Sequence, residues 1–286
     1  MTATRTDLDL ALRLADRADT ITSAAFRRAD LQVETKADRT PVTEADRNVE
    51  ADIRRVLAEE RPEDRVVGEE FGDTAGAAPT AAGAGQKAAT RRWIIDPIDG
   101  TKNFVRRIPV WATLLALEVD GRITVGVVSA PALGRRWWAA RGQGAWAGPP
   151  PPAGTGATGP TAGRAEPARI QVSKVADLAD AHLSGTTVAD WGDWGGSGTY
   201  LDLARRCYAD RNFGDFWSHM LVAEGACDIG LDPVVSLWDL AALQVIVEEA
   251  GGRFTDFTGV ARPDGGSAIS SNGLLHDQAL RIIGKK

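Results

Sequence analysis

Three histidines, two cysteines and no long apolar run leave this 286-residue chain poorly equipped for a zinc site, a disulfide scaffold or a membrane span. Cys207 and Cys227 are too few for a disulfide framework. Both occupy apolar positions of helical patterns, so two buried free thiols in a reducing cytoplasm are expected. The opening residues include Arg5, Asp7, Asp9 and Arg13 and lack the apolar core of a secretory leader. Positive charge is also scarce. A formal net charge of -6 argues against nucleic acid or an anionic membrane as partner, while leaving room for a small phosphorylated metabolite in a local pocket. The 43% of hydrophobic and 25% of charged residues are ordinary for a soluble globular protein, and the length suits one large domain or two smaller ones.

What is present centres on Trp93 to Phe104, WIIDPIDGTKNF. Trp93, Ile94 and Ile95 read as the end of a buried strand. Pro97, with its fixed φ and no N–H, predicts a turn that Gly100 lets close tightly. Asp96 and Asp99 lie three residues apart in that segment, and two like charges held so close favour a cation between them. The amides of Gly100 and Thr101 are then placed to face an anion. Taken alone, Asp-Pro-x-Asp-Gly is equally an ordinary surface turn.

Helical spacing predicts a first helix from Thr6 through Phe26 and a second from about Thr43, with Asp46 three residues on, to Arg61 and Pro62. Val66 and Val67 form a short strand leading into Glu69 and Glu70. The runs Ala112 to Val119 and Ile123 to Ala130 make a hairpin, continued by Arg135 to Ala140. In the second half, strands are expected at Ile170 to Val172, His182 to Val188, Asp228 to Leu231, Arg253 to Thr255 and Ala268 to Ser271. Helices are expected at Gly198 to Tyr208, Asp215 to Ala226, Trp238 to Ala250 and Leu275 to Ile283. Gly72 to Arg91 reads as a surface loop, and the Pro/Gly-rich tract after Pro149 divides the chain into 1–148, a linker at 149–168, and 169–286.

Four acidic segments stand at junctions of these elements: Asp46, Glu69 with Glu70, Asp96 with Asp99, and Asp239. Hard oxygen donors without His or Cys suit Mg²⁺. Each has a plain alternative, since Asp46 and Asp239 serve equally as first-turn carboxylates and Glu69 with Glu70 as a solvated pair.

GEE at Gly68 to Glu70, WIIDPIDGT at Trp93 to Thr101 and WDLAA at Trp238 to Ala242 resemble, in order and separation, the motifs of the inositol monophosphatase family. The likeness runs from PVTEAD at Pro41 to EAGG at Glu249. It implies an α+β fold, a layered αβαβα sandwich, and Mg²⁺-dependent hydrolysis of a phosphate monoester with two or three ions per site. Carried over by position, one ion takes Glu69, Asp96 and the carbonyl of Ile98, and a second takes Asp96, Asp99 and Asp239. Glu69, Thr101 and Asp46 then act on the attacking water, Gly100 and Thr101 hold phosphate, and the active form is a homodimer.

Within the family, Lys102, the RRWW at Arg135 to Trp138, AARGQGA at Ala139 and SNGLLHD at Ser271 look most like the bacterial histidinol-phosphate phosphatases. Asp215 and Asp232 would face the organic part of the substrate, where carboxylates favour an ammonium group over a neutral polyol. A helix N-cap and a turn residue are their plain alternatives. An inositol-1-phosphate phosphatase is the second reading, and a catalytically silent metal-binding regulator the non-enzyme one. Arg135 to Trp138 suit an interface or a solvated strand face, and Trp191 with Trp194 a substrate mouth or a core. Replacing Asp99 by Asn is expected to abolish turnover and leave the fold intact; a folded variant that still releases phosphate at the parent rate would remove Asp99 from the site.

Overall fold

The computed structural model describes residues 5–36, 41–76, 90–151 and 166–284. Most of the expected loop and linker, at 77–89 and 152–165, lies outside them. Contacts divide the chain into two compact units, Met1–Arg136 with Gly148–Glu166, and Trp137–Ala147 with Pro167–Lys286.

The first unit opens with helix α1 (Arg5–Arg27), whose buried Leu10, Ala11, Leu14, Ala15, Ala18 and Thr22 recur every three or four residues on one face. Two short antiparallel strands follow, β1 (Val33–Thr35) and β2 (Pro41–Thr43), and then helix α2 (Glu44–Glu60). Next come β3 (Arg65–Gly68), β4 (Gly72–Thr74), β5 (Arg91–Asp99), the five-residue helix α3 (Thr101–Val105), β6 (Ala112–Val119) and β7 (Arg122–Ala130). The strands lie side by side in the order β7-β6-β5-β3-β4, with β3 and β5 parallel. Helices α1 and α2 pack on β5, β6 and β7. The hairpin between β6 and β7 turns at Asp120 and Gly121, both at positive φ (51° and 77°), the pair a tight two-residue loop demands.

Pro97 does not end its strand in a turn, as its chemistry had suggested. β5 continues to Asp99, and its register with β6 slips between Asp96 and Asp99. Proline cannot donate to the ladder, and a bulge absorbs that defect while keeping the strand extended. The Pro97 carbonyl accepts from Thr113 Oγ1 at 2.8 Å, so the bulge stays anchored to β6.

Strand β8 (Arg135–Ala140) leads from the first unit to the second; Arg135 is exposed and Trp138 half-buried on it, whereas Arg136 and Trp137 are buried rather than on a solvated face. Arg136 is 4% exposed and donates to Asp19, Asp16 and Ser129 at 2.7, 2.7 and 2.9 Å. Burial pushes the Asp19 carboxyl up, and the guanidinium opposes that rise. Trp137 is buried and donates its ring N–H to Glu224 at 2.6 Å.

The second unit continues with β9 (Ala145–Gly148) antiparallel to β10 (Ala168–Ile170). Then follow β11 (His182–Ser184), α4 (Val188–Trp194), α5 (Ser197–Ala204), β12 (Ala209–Asp210), α6 (Asp215–Ala223), β13 (Ile229–Asp232), α7 (Leu237–Glu249), β14 (Arg253–Thr255), β15 (Ala268–Ser271) and α8 (His276–Ile283). A five-stranded sheet runs β12-β11-β13-β15-β14, with β11 parallel to both β12 and β13. On one face Leu183, Ile229, Leu231 and Ile269 pack with Trp191, Tyr200 and residues of α8; α6 lies along β13 and β15.

The strand expected over His182 to Val188 stops at Ser184. Thr187, whose hydroxyl accepts from Asp190 N, caps α4 instead, a local signal that outcompetes the β-propensity of the run. Trp191 therefore packs in the core, its ring 4.9 Å from Tyr200 and 5.6 Å from Phe257. Cys227 is buried as expected whereas Cys207 is half-buried; both are free, and burial first, with Asp228 adding to it, pushes each thiol up to about 11. None of the described helices is long and apolar enough to cross a membrane.

Removing the Arg136 guanidinium strands a buried carboxylate at Asp19. Arg136→Met is expected to cost roughly 3 kcal/mol, read as a melting temperature lower by on the order of 10 °C in a thermal scan. A shift of a degree or two would mean that the cluster carries little of the fold.

Candidate active site

Strands β3 and β5 run parallel, with Gly68 beside Ile95, and the Glu69 amide donates to the Ile95 carbonyl at 3.2 Å. Glu69, just past the end of β3, and Asp96, still paired with Leu114 inside β5, therefore stand side by side toward the carboxyl end of β3, the edge where open parallel sheets bind ligands. Asp96 is 1% exposed and accepts from the Ile98 amide at 3.0 Å through Oδ1. Beyond the bulge Asp99 is half-buried and stands opposite Ala112.

Asp46 approaches from α2, and its placement is a matter of local sequence. Thr43 caps the helix, and Asp46, three residues on, accepts from the Thr43 amide and hydroxyl at 2.8 and 2.5 Å, completing a capping box. The side chain is wholly buried. Burial, reinforced by the charges of Glu70 and Glu69 and opposed by the two Thr43 bonds, pushes its carboxyl up to about 6. Its other oxygen, Oδ1, lies 3.5 Å from Thr101 Oγ1, which donates to the Ile98 carbonyl at 2.9 Å. Asp46, Thr101, Ile98 and Asp96 thus form one connected chain.

Gly100 begins α3 at φ 81° and ψ 34°, a conformation that favours glycine. Five residues are too few for a helix to stand by itself. Phe104 holds it, wholly buried and 4.9 Å edge-on from Trp111, with Phe26 5.3 Å away.

The Glu69 and Glu70 carboxylates share the Lys36 ammonium, at 2.7 and 2.6 Å. Burial works against the charge on Lys36, yet the two carboxylates win and raise its pKa. Lys36 is half-buried in the acidic cluster. Beneath the loop sits Glu50, which sequence reasoning missed. It is wholly buried, accepts from the amides of Glu70 and Phe71 at 2.8 and 3.2 Å, and pairs with Arg54 at 2.7 Å. A Cβ on Gly68 would stand 2.1 Å from Glu50 Oε1, so that glycine is dictated by the carboxylate below it. The signal was available: Glu50 follows Asp46 by four residues on the same buried stripe of α2 as Ile53 and Leu57.

In the second unit Asp239 repeats the Asp46 device as the third residue of α7, accepting from the Ser236 amide at 2.7 Å. Asp232 ends β13, and its Oδ2 lies 2.7 Å from His219 Nε2. Asp215 is the first residue of α6, one turn before His219, with φ 46°, unusual for a residue with a side chain. Gly214, not Asp215, occupies the cap position. The amide of Phe213 reaches Ser184 Oγ, at the carboxyl end of β11, at 3.4 Å. Asp215 and Asp232 consequently both belong to the carboxyl end of the parallel strands β11 and β13.

Residues 4–285 match the inositol monophosphatase family. The chain belongs to that family. It is 52% identical to the histidinol-phosphatase of Mycobacterium tuberculosis over 96% of both chains. With the histidinol-phosphatase of Streptomyces coelicolor it shares 46% identity over 98% of this chain and 97% of the relative. Among solved structures, a Thermotoga maritima IMPase superimposes with a TM-score of 0.78 at 29% identity, covering 98% of this chain and 97% of that one. The fold is accordingly the α+β layered sandwich of the family, and the protein is a phosphoric monoester hydrolase.

Family membership implies a metal ion, and the first-unit residues fit one. Their donors are all hard oxygens, and the ammonium of Lys36 bound between Glu69 and Glu70 marks the spot as one that draws positive charge. Asp46 supplies a further check on the electrostatics. Its folded pKa of about 6 lies above the ordinary 3.8, so the protonated form is favoured by folding; its stabilisation is complete below pH 3.8 and is lost as pH rises through 6. In the metal-free protein this group is expected to contribute a decline of about 3 kcal/mol across that window, measured by urea unfolding at successive pH values. Asp46→Asn should flatten the decline, and an unchanged slope would assign the raised pKa elsewhere.

Proposed function

We propose that this phosphatase hydrolyses L-histidinol phosphate to L-histidinol, as a Mg²⁺-dependent cytoplasmic homodimer of histidine biosynthesis. The observation that carries the substrate is the 52% identity, over 96% of each chain, to a protein named histidinol-phosphatase. The carboxylates at the carboxyl end of β11 and β13 support it, because Asp215 and Asp232 suit a substrate that bears an ammonium group.

Glu69, Asp96 and the Ile98 carbonyl would hold one ion, and Asp96, Asp99 and Asp239 a second. Bound Mg²⁺ supplies Lewis-acid polarisation of the phosphoryl group and makes water more acidic. The chain's own residues do the rest. Thr101 Oγ1, spending its proton on Ile98, offers lone pairs to a water, and Asp46, 3.5 Å behind it, is placed to receive a proton. Gly100 and Thr101 present amides to the phosphate oxygens, and the packing of Phe104 keeps them from shifting. Lys36 gives the phosphate a further cation on the Glu69 side.

A phosphate-release panel with L-histidinol phosphate, inositol-1-phosphate and fructose-1,6-bisphosphate tests the reading. The first is expected to give a kcat/KM higher by at least about tenfold, the scale of one recognised charged group. Preference for inositol-1-phosphate would overturn the substrate. Absence of Mg²⁺-dependent release from all three would instead favour a silent metal-binding regulator.

A further inference from the structure

We propose that His219 is the positioning residue that fixes Asp232 as the receptor for the substrate's ammonium group, and so sets the enzyme's preference for an amine-bearing ester. The inference rests on the functional reading above and assigns a role to a side chain that takes no part in the hydrolysis.

His219 has no exposed surface, and both its ring nitrogens are engaged: Nε2 lies 2.7 Å from Asp232 Oδ2 and Nδ1 2.8 Å from Ser270 Oγ. An ionised carboxylate only accepts, so Nε2 donates to Asp232, while Nδ1 shares a hydrogen bond with the Ser270 hydroxyl. The ring cannot slide in its slot. Phe254 stands 5.7 Å from it, and Gly230 lies beneath, where a Cβ would come within 3.3 Å of Nδ1 and 2.6 Å of Ser270 Oγ. Immediately before it on the same helix, Ser218 pairs with Ser184 at 2.7 Å, tying α6 to the end of β11.

The consequence falls on Asp232. Its side chain is 9% exposed, and Oδ2 is committed to His219, so Oδ1 carries the remaining acceptor capacity at the carboxyl end of β13. A carboxylate this buried is costly unless a hydrogen-bond donor holds it. His219 is that donor. It also stands four residues after Asp215 on α6, one helical turn along. A neutral polyol gains little from a carboxylate fixed in this way, whereas an ammonium gains a charge-assisted hydrogen bond.

Two amide substitutions separate this role from core packing. In His219→Gln the side-chain amide reaches the Nε2 position and keeps a donor for Asp232; in His219→Asn it reaches only the Nδ1 position and loses Asp232. H219N is expected to raise KM for L-histidinol phosphate roughly tenfold more than KM for inositol-1-phosphate, with kcat little changed, and H219Q to recover most of the difference. In an Asp232→Asn background H219N should add nothing further to the KM ratio. Equal effects on both esters, an unchanged ratio in H219N, or failure of both variants to fold would overturn the proposal and leave His219 a packing residue. A parent enzyme that already prefers inositol-1-phosphate would instead overturn the substrate reading on which the proposal stands.

Discussion

Repulsion among carboxylates is the constraint around which the first unit is arranged. Asp46, Glu69, Glu70 and Asp96 gather at the carboxyl end of β3 and β5 with little water to screen them. Left to itself, such a group takes up protons, and the raised pKa of Asp46 is the visible sign. The structure meets the cost with fixed donors: the Thr43 cap for Asp46, the Ile98 amide for Asp96 and the Lys36 ammonium for the glutamates. A divalent cation satisfies the same requirement more completely, which is why the arrangement reads as a catalytic site as well as a strained one.

Local devices do much of the positioning. A capping box sets Asp46 at the third residue of α2, and the amide of the Ser236 cap holds Asp239 at the third residue of α7, so each acid is oriented by a bond to a backbone three residues earlier. The bulge at Pro97 turns a proline's missing donor into a short irregular stretch from which Asp96 and Asp99 both project near the end of one strand. Below these lies a layer that bonds only to other protein groups. Glu50 fastens the Glu69 and Glu70 loop from beneath, and in the second unit His219 does the same for Asp232.

The motif residues were legible because their chemistry is local: Asp-Pro-x-Asp-Gly, Gly-Glu-Glu and the acids three residues after a cap announce themselves by type and spacing. Most elements were legible for the same reason, with periodicity marking α1, α2, α7 and the β6–β7 hairpin. Errors arose where a short-range signal had a competitor. The Thr187 to Asp190 cap turned an apparent strand into α4, and the missing N–H of Pro97 produced a bulge in place of a turn. The charged partners of Arg136, Asp16 and Asp19, lie on α1, more than a hundred residues away, so no local pattern could indicate that its charge is buried.

Sequence by itself determined the family, the hydrolytic chemistry and the acidic residues suited to a hard cation, because residue type and spacing along the chain carry that information. Tertiary structure decided which of these groups meet: that β3 and β5 run parallel and deliver Glu69 beside Asp96, that Lys36 folds onto two glutamates, and that Glu50 and His219 stand behind the residues they hold. Those contacts depend on which strands pair and which helix faces they bury, and such long-range packing leaves no short pattern in the chain.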